Sequence, residues 1–364
     1  YSSAASDVYK RQERYNYMKK ISVVILNWNG EAMLRQFLPS VIAYSEAEGV
    51  EVCVADNASS DASCDVVRKE FPAVRLIELE ENYGFAEGYN RALQQVDAEY
   101  VVLLNSDIEV TPHWLEPLRD FMEVHPEVAA CQPKLLSERN KEFFEYAGAA
   151  GGYIDRYGYP FCRGRIFETV EKDDGQYDTV MPVFWVSGAA FFVRLKDYRE
   201  AGGLDGRFFA HMEEIDLCWR FRSRGRGLVC IPQSVVYHVG AATLKKESPR
   251  KTYLNFRNNL LMLYKNLPEK ELNKVLCVRS FLDRIAAVVF YLKKDKESAK
   301  AVFQARRDFE RTRYSFASAR VENMMKATDE PIPERVEYSI LWKYHALGKK
   351  RFSQLRNFVK GLTA

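Results

Sequence analysis

The chain has 364 residues, 47% of them hydrophobic and 28% charged, with a formal net charge of +3. That balance suits one large globular domain, or a domain with an appendage. Its seven cysteines are scattered without a CxxC pair, so nothing suggests a disulfide framework or a zinc site and a reducing compartment is expected, and no apolar run reaches the roughly 20 residues of a membrane span.

Residues 1–17 carry no apolar periodicity and lack the apolar centre of a signal peptide. They read as a leader outside the fold, with the natural start expected at Met18. Residues 21–26 (ISVVIL) then form a β-branched run of buried-strand type. It ends at Asn27-Trp28-Asn29-Gly30, and a helical pattern follows through Leu34, Phe37, Leu38 and Val41. Residues 50–55 predict a second strand, ending at Asp56 and Asn57; residues 74–79 predict a third, ending at Asn82-Tyr83-Gly84. Residues 86–96 read as helix, and residues 100–104 as a fourth strand closed by Asn105-Ser106-Asp107.

Strands alternating with helices imply an α/β fold, a Rossmann-like mostly parallel sheet flanked by helices. Ligands of such sheets sit beyond the carboxyl ends of the strands. A single Asn or Asp there is an ordinary turn or cap residue, but here polar residues close all four strands on one edge. No GxGxxG follows the first strand, and no GxxxxGK[ST] occurs, so neither a dinucleotide-binding unit nor a P-loop is expected. Turns rich in carboxylate and amide suit phosphates held through a divalent cation, Mg²⁺ or Mn²⁺.

A second concentration of carboxylates lies at Glu213, Glu214 and Asp216, beside Phe208, Phe209 and Trp219. Crowded, poorly solvated carboxylates raise one another's pKa, which marks a general-base candidate. The plain alternative is an acidic helix N-terminus.

In order and spacing, ISVVILNWNG, VADNASSD, ENYGFAEGYNRA and LLNSDIE resemble family 2 glycosyltransferases of GT-A fold. The rhamnosyltransferase-like branch of bacterial surface-polysaccharide synthesis looks closest. WVSGAAFFVR (185–194), GGLDGRFFAHMEEIDLCWR (202–220), VVYHVGAAT (235–243) and FRNNLLMLYKN (256–266) extend the resemblance to residues 21–266. It implies a GT-A domain over 18–266 and a basic helical C-terminal region over 267–364.

The resemblance also implies roles. Asn27, Trp28 and Asn29 would line the base pocket, with Asp56 and Asn57 beside them. Asn82, Gly84 and Asn90 would shape the wall near ribose and sugar. Asp107 would bind metal, with Asn105 where a strict DxD motif has Asp, and His238 would be a second metal or diphosphate contact. Trp185 and Gly188 would line the acceptor side. Glu214 matches the second member of a Glu-Asp pair and inherits the role of catalytic base, with Glu213, Asp216 and Arg220 around it. Arg257 and Asn258 would approach the diphosphate. The implied reaction is inverting, metal-dependent transfer from a nucleotide sugar (dTDP-rhamnose or a UDP-sugar) to a glycan or lipid-linked glycan. It would take place at the inner face of the cytoplasmic membrane, with no nucleic acid partner. A degenerate sugar-binding or scaffold subunit is the alternative, and a sugar-phosphate nucleotidyltransferase a weaker one, since Asn27-Trp28-Asn29-Gly30 is not a Gly-rich GGxGTR-like turn.

Residues 143–181, rich in Gly, Tyr and charge, read as a long loop over the site. Beyond them, Val275, Val278, Leu282, Ile285, Val289 and Leu292 form one helical apolar stripe, and residues 298–313 a charged helix. Residues 241–364 hold 27 Lys and Arg against 13 Asp and Glu, leaving an acidic remainder upstream. With Trp, Tyr and Phe among cations over 342–360, this tail suggests contact with an anionic membrane surface.

Overall fold

The computed structural model describes residues 19–240 and 248–355; the leader, Met18, residues 241–247 and residues 356–364 lie outside them. The four β-branched runs form β1 (Lys19–Asn27), β2 (Val50–Asp56), β3 (Arg75–Glu78) and β4 (Ala98–Asn105), joined by α1 (Glu31–Ser45), α2 (Ser63–Glu70) and α3 (Gly84–Gln94). They pair in parallel in the order β4-β1-β2-β3. The period-2 alternation of β1 decides which face each side chain meets. Val24 joins the cluster that holds Ala86 and Tyr89 of α3, while Val23 and Ile25 join the one that holds Leu34, Leu38 and Val41 of α1.

The rest of the chain enlarges this sheet and adds a second. β5 (Ile108–Val110), α4 (Glu116–Val124) and β6 (Val128–Ser137) lead into β7 (Gly152–Asp155), β8 (Pro160–Cys162), β9 (Arg165–Ile166) and β10 (Thr169–Val170). β11 (Met181–Pro182), β12 (Ala190–Arg194), α5 (Leu195–Glu200), α6 (Glu213–Ser223) and β13 (Gly227–His238) follow. The main sheet runs β11-β13-β6-β12-β4-β1-β2-β3, with β5 beside β13. β12 lies antiparallel to β4, so the sheet is mixed beyond its parallel half.

The expected loop over 143–181 instead carries four short strands of a small sheet, ordered β10-β9-β8-β7-β14, whose edge strand β14 (Arg335–Val336) comes from the C-terminal region. Strands of two to four residues are too short for periodicity to reveal.

Four helices precede β14: α7 (Pro249–Asn266), α8 (Glu269–Leu292), α9 (Lys296–Thr312) and α10 (Ala317–Lys326). α7 sends Leu260, Leu261, Met262 and Leu263 into the main core. α8 buries Arg279 and Asp283, whose pair (3.2 Å) is extended by Arg306 of α9 at 2.6 Å from Asp283. The aromatic tail packs on the small sheet as far as it is described. The Tyr344 hydroxyl meets Thr169 Oγ1 at 2.8 Å, and the buried Phe352 ring lies against Tyr153, Phe161 and Tyr177. Residues 356–360 of the expected membrane segment lie outside the described residues. No helix among the described residues is long and apolar enough to cross a membrane.

Candidate active site

The parallel strands end on one rim. Asn27 donates from Nδ2 to Asp56 Oδ1 (2.9 Å), and Asp56 also accepts from the Ser59 hydroxyl (2.6 Å) and the Ser59 N–H (2.8 Å). Asn29, at φ +50, accepts the Ser60 N–H on Oδ1 (2.7 Å). The turns after β1 and β2 are thereby locked together, and they leave Trp28 47% exposed, an aromatic face at the rim. A side chain on Gly30 would lie 2.2 Å from Asn27 Oδ1 and 3.7 Å from Ser106 Oγ, so this turn reaches the end of β4. Asn57, buried, donates to Asn82 Oδ1 (3.0 Å) and Gly84 O (3.0 Å) and accepts the Tyr83 N–H (3.0 Å), drawing the turn after β3 to the same rim. Gly84 has φ +76, and a Cβ there would meet the Phe209 ring at 2.7 Å. Only glycine meets both demands without strain.

Phe209 begins the turn that presents the carboxylates. Phe209, His211 and Met212 have φ of +67, +70 and +73. Left-handed backbone at such residues costs about 1–3 kcal/mol each and persists where surrounding contacts hold it. Buried Asn258 of α7 supplies them, donating from Nδ2 to the carbonyls of Phe208 (3.0 Å), Ala210 (2.8 Å) and His211 (2.8 Å). Arg257 donates to Asn258 Oδ1 (2.7 Å) and Phe208 O (3.2 Å). Asn258→Ala therefore removes about 2–4 kcal/mol of stability and lowers kcat; urea denaturation and steady-state kinetics check both.

The turn aims Glu213 and Glu214 from the first turn of α6. Each has a buried Oε2 with no hydrogen-bond partner among the described residues. Burial, with Glu214 beside it, raises the Glu213 pKa well above the usual carboxylate value. Burial also raises Glu214, to about 7, while N–H groups of the helix start pull the other way. Opposite Glu214 is bare backbone: a Cβ on Gly188 would stand 3.6 Å from the Glu214 side chain and from the tip of Phe85. The next residue, Ala189, accepts the Asn105 N–H at 3.0 Å. One strip of chain thus links the stem of the Glu214 side chain to the end of β4.

Register places the remaining pair. Ile108 faces His238 across β5 and β13, so Asp107 and His238 are neighbours, with Oδ1 to Nε2 at 3.2 Å. Behind His238, Glu145 Oε1 stands 3.4 Å from Nδ1. Burial opposes charge on the imidazole, yet Glu145 and Asp107 together raise its pKa to about 10. Among the described residues no group of three or more His, Cys, Asp or Glu is spaced to hold a metal ion. Asp107 and His238 offer one carboxylate and one imidazole. That fits an ion completing its shell with phosphate and water, provided His238 gives up its proton.

Residues 22–182 match glycosyl transferase family 2. Over 236 residues the chain is 28% identical to the N-acetylglucosaminyl-diphospho-decaprenol L-rhamnosyltransferase of Mycobacterium tuberculosis (strain CDC 1551 / Oshkosh), covering 60% of this chain and 75% of that protein. With rhamnosyltransferase WbbL of Escherichia coli (strain K12) it shares 26% identity over 215 residues, 57% of this chain and 76% of the relative. The matched segment, residues 22–182, is a family 2 glycosyl transferase segment. Its fold is GT-A: the solved structure of GalNAc-T7 with UDP, GalNAc and Mn²⁺ matches at a TM-score of 0.54 and 16% identity, over 68% of this chain and about half (48%) of that one.

Not every residue expected at the glycosyltransferase site faces it. Trp185 is buried with its ring against Gly152 and its N–H on Tyr153 O (3.0 Å), so it offers no open face to a sugar. Asp216 and Arg220 turn into the packing between α6, α7 and the 201–205 loop. Asp216 accepts from Lys265 (2.7 Å), Asn266 (2.8 Å) and Arg220, and Arg220 donates to Gly203 O (2.7 Å). Asn90 is spent on Leu204 and Tyr198. The described contacts of these four side chains are with the protein itself. Sequence reading gave no role to Ser59, Ser60 or Glu145, and took Phe209 only as an aromatic beside the carboxylates. The two serines carry a signal, since they directly follow Asp56-Asn57-Ala58; Glu145 stands in a segment with no periodicity.

Proposed function

We propose that this glycosyltransferase moves a sugar, with inversion, from a nucleoside-diphosphate sugar to a glycan or lipid-linked glycan acceptor in cell-surface polysaccharide synthesis. Rhamnose from dTDP-rhamnose is the first donor to test, a choice supported by the names of the two bacterial relatives; a UDP-sugar is the second. One observation carries the reading: Glu214, with a pKa of about 7, packs beside Gly188, whose neighbour Ala189 accepts the Asn105 N–H at the end of β4.

Trp28 stacks on the base, and the turns braced by Asp56 and Asn57 hold it in place. Gly188 leaves room for the acceptor sugar. Glu214 accepts the proton of the acceptor hydroxyl as its oxygen bonds to the anomeric carbon. The bond from that carbon to the diphosphate oxygen breaks, and the nucleoside diphosphate leaves. Asp107 and His238 would hold a divalent cation, Mg²⁺ or Mn²⁺, which supplies charge neutralisation at the diphosphate. Arg257 and Asn258 keep the turn before Glu214 rigid, so the base is positioned before substrate arrives.

A panel of nucleotide sugars, assayed for nucleotide release with and without Mn²⁺ or Mg²⁺, tests the reading. One donor is expected to be turned over, and only with a cation present. Turnover of no donor under any metal condition would overturn it.

A further inference from the structure

α8 is built inside out. Its buried face carries Leu272, Val275, Arg279, Asp283 and Ala287, including an ion pair. Its outer face carries Phe281 (63% exposed), Ile285 (45%), Val288 (55%) and Leu292 (74%). These four recur at intervals of three and four residues and share one side of the helix. The periodicity that reads as a core stripe in the sequence is therefore only partly a core stripe: Val275 is buried, whereas Ile285, Val289 and Leu292 are exposed. Soluble chains seldom leave such a row uncovered without a use for it.

We propose that this face, with the turn between α8 and α9, docks on an anionic lipid membrane. The fringe of the apolar row decides between occupants. Arg284, Lys293, Lys294, Lys296 and Lys300 are all exposed around it. Asp295 caps α9 through the Ser298 N–H (3.0 Å), and Glu297 pairs with Lys300 (2.8 Å), so cations remain in excess. Phe303, 51% exposed on α9, adds a further apolar side chain between Lys300 and Arg307. A two-fold dimer through this face would set like charges against each other. A bilayer with anionic headgroups instead takes the apolar row at its acyl boundary and the cations at its surface. The assignment stands independently of the donor and needs no spanning helix.

The test is flotation of the full chain with vesicles of phosphatidylglycerol and phosphatidylcholine, against vesicles of phosphatidylcholine alone. Binding is expected to the anionic vesicles only, and to fall as salt shortens the screening length. Ile285→Ser with Leu292→Ser, and separately Lys293→Glu with Lys294→Glu, should each weaken binding by about tenfold or more. Their melting curves and donor hydrolysis should be unchanged. Wild-type protein that ignores anionic vesicles, or variants that float as the wild type does, would overturn the assignment. A dimer in sedimentation velocity that Ile285→Ser with Leu292→Ser converts to monomer, without vesicle binding, would make the face a contact between copies instead.

Discussion

Replacing Glu214 with Gln should lower kcat for sugar transfer by about 10²–10⁴-fold, the usual range for removing a positioned general base, and leave the donor KM within a small factor. The side chain keeps its length and loses only its ability to take a proton. Its surroundings explain why this carboxylate suits the task at neutral pH: burial lifts its pKa from 4.5 to about 7, close to the pH at which it must work. Stability should respond in the opposite sense. A carboxyl raised from 4.5 to about 7 on folding binds more protons folded than unfolded, so stability declines as pH rises through that window. Gln at 214 escapes the decline, and the variant should melt higher than the wild type at pH 8, a difference that calorimetry would read. A dead variant that is also less stable would indicate lost structure rather than lost chemistry.

The second large effect falls on Asp107. Asp107→Ala should reduce transfer by about 10²–10⁴-fold, in line with losing electrostatic stabilisation of a departing oxyanion, and should abolish the response of activity to added Mn²⁺ or Mg²⁺. It also removes one of the two carboxylates that hold the buried His238 charged. Circular dichroism belongs beside the kinetics, to separate a loss of fold from a loss of chemistry. An Asp107→Ala variant that still responds to metal as the wild type does would place the ion elsewhere.

How much of this was legible beforehand follows from the physics of each element. β1 to β4 were readable because buried parallel strands are written as β-branched runs, and their polar ends follow from where such sheets bind ligands. Asn27, Asp56, Asn57, Asn82 and Asp107 do close one rim. The side of α6 was not readable: a motif places Glu213, Glu214, Asp216 and Arg220 on one helix, but only packing shows that Asp216 and Arg220 turn to Lys265 and the 201–205 loop. The burial of Trp185 was hidden for a related reason, since an aromatic serves core and rim alike. The small sheet was hidden by its short strands, and Glu145 reaches His238 across 93 residues of chain, a pairing that no local pattern signals. On α8 the period was right, yet a period alone does not say which face meets the core.

The pH dependence of kcat/KM is the most direct measurement of the role assigned to Glu214. An acidic limb with an apparent pKa near 7, set by Glu214, is expected, with activity lost as pH falls through it. In Glu214→Gln the residual activity should lack that limb. An acidic limb of unchanged position in the variant would contradict the account, because the group that titrates would then be another.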